Sequence, residues 1–244
     1  MMMGVFADAP VLCGHRGSGK GVVDGQRENT PGSFRAAVGA GLRWVEVDAR
    51  ITADDVLVAH HDPAVDGRAV AEMTAEETDE LGLMRITELL EELPSGVALD
   101  VDVKSSLEDA LRPRERTTAA LVAGLLAAEA GRRPLLVTSF DPAALLIVRE
   151  RLPAVPIGLL TWLRFPLRKA IAAAAHLGAD VVAPHVESFD GGASHAVDVA
   201  HRAGLEVIAW CPRDEAEAQA LIRAGVDCLV IDEVPATVAA LQAV

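Results

Sequence analysis

The chain has 244 residues and a formal net charge of −14 at pH 7, with a sequence pI of about 4.9. Such a length suits one large α/β domain, and such a charge repels nucleic acid and anionic membranes, so any phosphate ligand would need cations supplied locally. No apolar run reaches the ~18 residues of a membrane-spanning helix; the opening MMMGVFADAP lacks a secretory leader's pattern; and Cys13, Cys211 and Cys228, scattered and with no CxxC, fit reduced cytoplasmic thiols packed as small core residues.

In chain order, strands and helices alternate. VLCGHRG (11–17) reads as a strand running into a loop, and SFRAAVGAG (33–41) as a helix with a glycine end. WVEVD (44–48) alternates apolar and acidic residues, as a strand does, and a second apolar run, VLVAHHD (56–62), follows a polar turn. The polar stretch from Pro63 to Met84 reads as a loop with a helical turn, and TELLEELP as a short helix capped by Thr87 and stopped by Pro94. VALDVDVK is a strand, and Arg114 to Ala130 a helix. PLLVTSF is followed by a helix capped by Asp141, PIGLLTW by PLRKAIAAAAHLG, and DVVAPHV by a helix over Ser194 to Gly204. LEVIAWC precedes a helix capped by Asp214, and DCLVIDE a final helix, VPATVAALQAV. Eight strand–helix units imply a parallel sheet. They predict a (β/α)8 TIM barrel, read as one domain over 1–244 with a small insertion at about 52–85; an open doubly wound sheet is the alternative.

The reactive groups of such barrels stand at the C-terminal ends of the strands, and the unusual polar residues fall there. His15 and Arg16 follow the first strand, Glu46 and Asp48 end the second, and Asp102 and Lys104 end the third. Ser139 and Asp141 follow the fourth, Trp210 ends the seventh and Asp232 the eighth. Side chains two apart share a face of a strand, so Glu46 and Asp48 point together, with Asp102 as a third acid beside them. Three carboxylates packed together call for a divalent cation, and hard oxygen ligands suit Mg or Ca, with Mn as a third candidate; a metal-free salt-bridge network is the other reading. Asp100, deeper in the barrel, is expected to be a structural partner of Lys104 or of an inward polar group. Arg16 has the bidentate fork that binds phosphate, in a loop whose glycines let the backbone approach an anion, and Lys20 could add a charge. His15 and His61 come from neighbouring strand ends and suit a general acid and base. His176, His195 and His201 are expected outside the barrel, His60 pointing away from His61, and His185 is the remaining histidine in reach of the mouth.

HRG at 15–17, ENT at 28–30 with Phe34 after it, VEVD at 45–48 and HD at 61–62 resemble, in type, order and spacing, the glycerophosphodiester phosphodiesterases. LDVDVK, TSF, Trp210 and GVDCLVID are similar to that family's third, fourth, seventh and eighth strand motifs, so the resemblance spans essentially the whole chain. It implies a metal-dependent enzyme that cleaves a small glycerophosphodiester to glycerol 3-phosphate and an alcohol, with no stable membrane association. His15 and His61 would be the acid–base pair, and Glu46, Asp48 and Asp102 would hold one divalent ion. Arg16 and Lys104 would bind phosphate, Trp210 would contact substrate, and Glu28 and Asn29 would support the His15–Arg16 loop. In the family's route the neighbouring glycerol hydroxyl attacks phosphorus and a cyclic phosphate is then hydrolysed. Three features depart from the pattern: Asp102 stands where glutamate is common, Trp210-Cys211-Pro212-Arg213 replaces Trp-Thr-x-Asn, and the loop over 18–27 is long. Alternatives are a phospholipase D-like or lyase relative that releases the cyclic phosphate, and a barrel that binds a phosphate metabolite without turnover.

Overall fold

Eight strands keep the period-two alternation of the sequence and close on themselves. In the computed structural model, which describes residues 4–189 and 192–242, they are β1 (Val11–Gly14), β2 (Trp44–Ile51), β3 (Ala98–Val103), β4 (Leu135–Ser139), β5 (Ile157–Thr161), β6 (Val181–Pro184), β7 (Glu206–Trp210) and β8 (Cys228–Ile231). Every neighbouring pair is parallel, and β1 bonds to both β8 and β2, so the barrel has no free edge. The architecture is the predicted (β/α)8 barrel.

The alternation sorts the side chains into two cores. Val45, Val47, Leu99 and Val101 point outward into the layer between strands and helices. Cys13, Trp44, Ala98, Leu136, Ile208 and Val230 point inward. The floor of the barrel is closed by Phe6, whose ring meets Trp44 edge-on at 5.1 Å. The backbone amides of Val5 and Phe6 donate to the two carboxylate oxygens of Glu206 (2.7 and 2.9 Å), which pins that segment beneath the barrel.

The helices are α1 (Pro31–Gly39), α2 (Ala75–Glu80), α3 (Ile86–Glu92), α4 (Thr118–Leu126), α5 (Pro142–Arg151), α6 (Leu167–Leu177), α7 (Ala193–Arg202), α8 (Glu215–Arg223) and α9 (Val234–Gln242). Asp141 and Asp214 cap α5 and α8 as expected, accepting from Ala143 and Glu217 amides at 2.8 Å. Two expectations are corrected. The cap of α3 is Arg85, and Thr87 lies inside the first turn. The helix expected over Arg114 to Ala130 is confined to 118–126. Ser106 and Asp109 form a capping box on a separate 3-10 turn at Leu107–Leu111, and Asp109 then accepts from the Thr118 amide (2.9 Å), fixing where α4 begins. The last two residues of the final predicted helix lie outside the described residues.

The stretch over 52–85 is an excursion beyond the rim. Leu57–Ala59 runs antiparallel to the far end of β2, with Ala49 opposite Ala59. Behind it Val58, Val70, Met73 and Leu83 form a small core of their own. The excursion brings the His61 backbone back to the mouth, where its carbonyl accepts from Arg50 Nε at 2.9 Å.

Leu99 is fully buried between β3 and the helices. Leu99→Ala is expected to cost about 2–5 kcal/mol of unfolding free energy, read as a lower urea midpoint at unchanged slope. A loss below about 1 kcal/mol would contradict the packing described.

Candidate active site

The loop after β1 sets the site. Arg16 and Gly17 both take left-handed backbone (φ 52° and 93°). At Gly17 a Cβ would stand 2.5 Å from Ser33 Oγ and 2.8 Å from Ser33 C, so only glycine fits there. The turn is held from below: the Arg16 carbonyl accepts from the Asn29 amide and the Ser33 hydroxyl, each at 3.0 Å. It aims the Arg16 amide at Glu46 Oε2 (2.8 Å), its Nη1 at Glu28 Oε1 (2.8 Å) and its Nε at Asp48 Oδ2 (3.2 Å).

The register of β2 against β3 sets Glu46 opposite Asp100 and Asp48 opposite Asp102. One oxygen from each of Glu46, Asp48 and Asp102 lies within 4.8 Å of the other two, and all three residues are buried. Lys104 reaches back over them, with Nζ 3.0 Å from Asp48 Oδ1 and paired with Asp102. Arg16 and Lys104 are therefore two cations against three carboxylates. Burial pushes Glu46 well above the usual carboxylate range, and the neighbouring Asp48 and Asp102 charges add to it. Burial also raises Asp102, despite the opposing pull of Lys104. At Asp48 the same burial is outweighed by Lys104 and Arg16, which hold it well below that range. Glu46 Oε1 and Asp102 Oδ1 are buried without a hydrogen bond. Uncompensated acceptors of this kind, all hard oxygens, fit a divalent cation, and Asp102 reaches the cluster despite its shorter side chain.

Asp100 lies deeper and accepts from Thr138 Oγ1 at 2.9 Å, so its partner is the inward hydroxyl rather than Lys104. Burial raises its carboxyl well above the ordinary value.

His15 and His61 stand on either side of the cavity, each with a carboxylate on Nδ1. His15 Nδ1 is 2.9 Å from Asp232 Oδ1, and His61 Nδ1 is 2.7 Å from Asp62 Oδ1. Burial works to raise Asp232, but the hydrogen bond and charge of His15 outweigh it and push the carboxyl down to about 2. An ionised carboxylate only accepts, so the proton between the two sits on His15 Nδ1 and leaves Nε2 for the cavity. Burial lowers His61 below its ordinary 6.5, against the pull of Asp48 and Asp62.

A cavity of about 410 Å³ is lined by seven of the expected residues, namely His15, Arg16, Glu46, His61, Asp102, Lys104 and Trp210. Asp48 lies behind its wall. Glu28 and Asn29 line an adjoining cavity of about 510 Å³ that shares Arg16, Lys20 and His61 with the first. Asn29 Nδ2 donates to Asp48 Oδ2 at 2.8 Å, which ties the ENT motif to the carboxylate cluster. His60 opens onto the adjoining cavity rather than the central one, and His176, His195 and His201 are exposed on helices. His185 does reach the central cavity, with its ring edge-on to Trp210 at 4.4 Å.

Sequence reasoning noted Asp232 on the rim without its partnership with His15, and it missed Phe140 and Trp162 in the wall of the cavity. Cys211 is a correction. It is not a core residue; it lines the mouth at φ 61°, with Sγ 3.6 Å from His15 Nδ1. Burial and the Asp232 charge raise its thiol, which stays protonated. Its neighbour Trp210 caps a strand, and a loop cysteine after an apolar strand looks in sequence like the strand's last core residue.

The family model of the glycerophosphoryl diester phosphodiesterases matches residues 15–236. No protein of curated function matches the chain in sequence. Among solved structures, an Oleispira antarctica phosphodiesterase in complex with the product sn-glycerol-3-phosphate superposes with a TM-score of 0.82 at 23% identity, covering 98% of this chain and 99% of that one. A Parabacteroides distasonis glycerophosphodiester phosphodiesterase gives 0.79 at 21% over 96% of both chains. A Thermotoga maritima glycerophosphodiester phosphodiesterase gives 0.74 at 21% over 94% and 97%. At these identities the likeness to solved structures concerns the fold. Among the described residues no helix is long and apolar enough to cross a membrane.

The His61 imidazole is expected to titrate below 6.5 by NMR, and Asp62→Asn, which removes a partner favouring the charged ring, to lower the midpoint further. A midpoint at or above 6.5 in the unaltered protein would contradict the burial assigned to it.

Proposed function

The chain belongs to the glycerophosphoryl diester phosphodiesterase family and is a phosphodiesterase by that membership; from that premise we propose that it hydrolyses small glycerophosphodiesters to glycerol 3-phosphate and an alcohol, with His15 and His61 as acid and base. The observation that carries this reading is the pair of imidazoles, each fixed through Nδ1 by its own carboxylate, in one cavity with two cations and with Glu46 and Asp102 of the buried three-carboxylate cluster.

Arg16 and Lys104 take the phosphate, Arg16 through its planar fork and Lys104 as a point charge at the mouth. Glu28 holds the far side of the Arg16 guanidinium, and Asn29 orients Asp48. Trp210, whose indole Nε1 donates to the Ala183 carbonyl at 3.1 Å, presents a fixed face to the substrate. Glu46, Asp48 and Asp102 would hold one divalent ion, Mg or Ca first, which when bound supplies positive charge against the phosphoryl oxygens.

His61, kept neutral at pH 7 by burial, accepts the proton of the glycerol hydroxyl next to the phosphate as its oxygen bonds to phosphorus. The bond from phosphorus to the alcohol breaks, and His15, entering the step as an imidazolium with Nδ1–H held by Asp232, delivers its Nε2 proton to the departing oxygen. The roles then reverse for the cyclic phosphate. His15 takes a proton from water as the water oxygen bonds to phosphorus, the ring bond from phosphorus to the neighbouring glycerol oxygen breaks, His61 returns its proton to that oxygen, and glycerol 3-phosphate leaves with both imidazoles restored. Asp232 and Asp62 hold the two rings in the required tautomer throughout.

Glycerol 3-phosphate release from glycerophosphocholine is expected to stop with EDTA and return with Mg, Ca or Mn. His15→Ala should lower kcat by about a hundredfold to ten-thousandfold with the fold intact by circular dichroism; near-normal activity would remove His15 from the mechanism. Added metal should raise the melting temperature of the unaltered protein and of Asp100→Ala but not of Asp102→Ala. The reverse order would reassign the third ligand.

A further inference from the structure

The cavity has two unlike halves. The polar half is built by β1, β2, β3 and β8. The other half carries Phe140, Leu160, Trp162, Leu163, Ile208 and Trp210, from β5 and β7 and the loops that follow β4 and β5. Lys104 Nζ lies 5.6 Å from the centre of the Phe140 ring, so this apolar wall begins where the phosphate is proposed to sit. Phe140 and Trp162 stack at 4.4 Å with their planes 26° apart, and Trp210 meets Phe140 edge-on at 5.8 Å.

The wall continues to the outside. Trp162 is 64% exposed and Leu163 54%. Leu107 and Leu111, on the loop after β3, are 86% and 90% exposed, and Val22, on the loop after β1, is 69% exposed. Among the described residues these are five of the six large apolar side chains that face solvent; the sixth, Leu146, is on α5. Of these, Trp162 and Leu163 also line the cavity, so they carry its apolar wall out to solvent, while Val22, Leu107 and Leu111 stand on other loops of the same rim.

We propose that this wall binds a single aliphatic chain attached to the diester, so that the preferred substrate is a chain-bearing glycerophosphodiester rather than one with only small polar substituents. The proposal rests on the diesterase reading above and concerns what else that site holds. The stacking of Phe140 on Trp162 spends a face of each ring on the other, which suits an aliphatic chain lying along the wall better than a cage around a quaternary ammonium. The net charge of −14 opposes an anionic lipid surface, so the recognised unit is the substrate's own chain. The bond that breaks is unchanged: water is added across the phosphorus–alcohol bond and the chain takes no part.

The test uses chains short enough to stay monomeric. kcat/KM is measured with restored metal for glycerophosphocholine and glycerophosphoethanolamine, for 1-hexanoyl-glycerophosphocholine (chain on the glycerol) and for glycerophosphohexanol (chain on the leaving alcohol). A buried methylene is worth roughly fourfold in affinity; allowing for a half-open wall, at least one chain-bearing ester is expected to exceed glycerophosphocholine by about tenfold or more. The ester that does so identifies the half of the substrate facing the wall. Trp162→Ala, at an exposed loop position that should not disturb folding, is expected to bring that ratio down to about two, as is Leu163→Ser. Turnover of glycerophosphocholine with a ratio near one would overturn the proposal and leave the diesterase reading standing. A high ratio untouched by both substitutions would also overturn it, as would a preference for choline over ethanolamine esters that vanishes in Trp162→Ala. No turnover of any ester with any metal would defeat the diesterase reading itself.

Discussion

Three carboxylates and two cations share the mouth of an otherwise apolar barrel, and most of the surrounding structure follows from keeping them there. A buried ion costs several kcal/mol unless its partners are well placed. Glu46, Asp48 and Asp102 are brought together by strand register alone, since β2 and β3 set Asp48 opposite Asp102. Their cations come from two places, Arg16 from the loop after β1 and Lys104 from the same inward face, one step beyond the end of β3. The balance remains one positive charge short. Within the protein the shortfall appears as Glu46 and Asp102 pushed upward while Asp48 is pulled downward. Asp100 is accommodated differently, through Thr138 and a raised carboxyl that favours its neutral form.

The same constraint explains why so much chain is devoted to one arginine. Arg16 has left-handed backbone, and its carbonyl, amide and guanidinium are fixed by two segments: Asn29 and Ser33 hold the carbonyl, Glu46 on β2 the amide, and one residue from each segment, Glu28 and Asp48, the guanidinium. Glu28 also accepts from the Gly21 amide, so the long loop over 18–27 is tied to the same carboxylate that steadies Arg16. Glu28 and Asn29 thereby act on the site through Arg16 and Asp48.

Alternation made the barrel legible, because a strand with helices outside and a polar mouth inside must repeat every two residues. It placed Glu46, Asp48, Asp102 and Lys104 on the inner face, and the rule that reactive groups gather at strand ends added His15 and Trp210. What stayed hidden depends on long-range partners. Asp232 lies 217 residues from His15, and no local pattern says which histidine a rim aspartate will hold. Cys211 reads as the end of an apolar strand, yet its positive φ turns it into the mouth. The helix before Ala130 reads as longer than it is because Asp109, which fixes its start through Thr118, belongs to the preceding 3-10 turn. The aromatic wall escaped notice because Phe140 and Trp162 belong to different loops and meet only after the barrel closes.

The departure Trp210-Cys211-Pro212-Arg213 falls on the seam between the polar and apolar halves of the cavity. Trp210 faces the aromatic side, touching Phe140 and His185, whereas Cys211 faces His15 and Asp232. A protonated thiol is a weak donor, so it competes little for Asp232. The Asp232 Oδ1 oxygen instead takes the His15 proton at 2.9 Å and the Lys20 amide at 2.8 Å. Asp232 thus fixes His15 and the start of the glycine loop together, and a cysteine beside it leaves that double hold intact. The acid–base geometry is insulated from the wall across the seam, and the wall can differ in shape without disturbing the histidines.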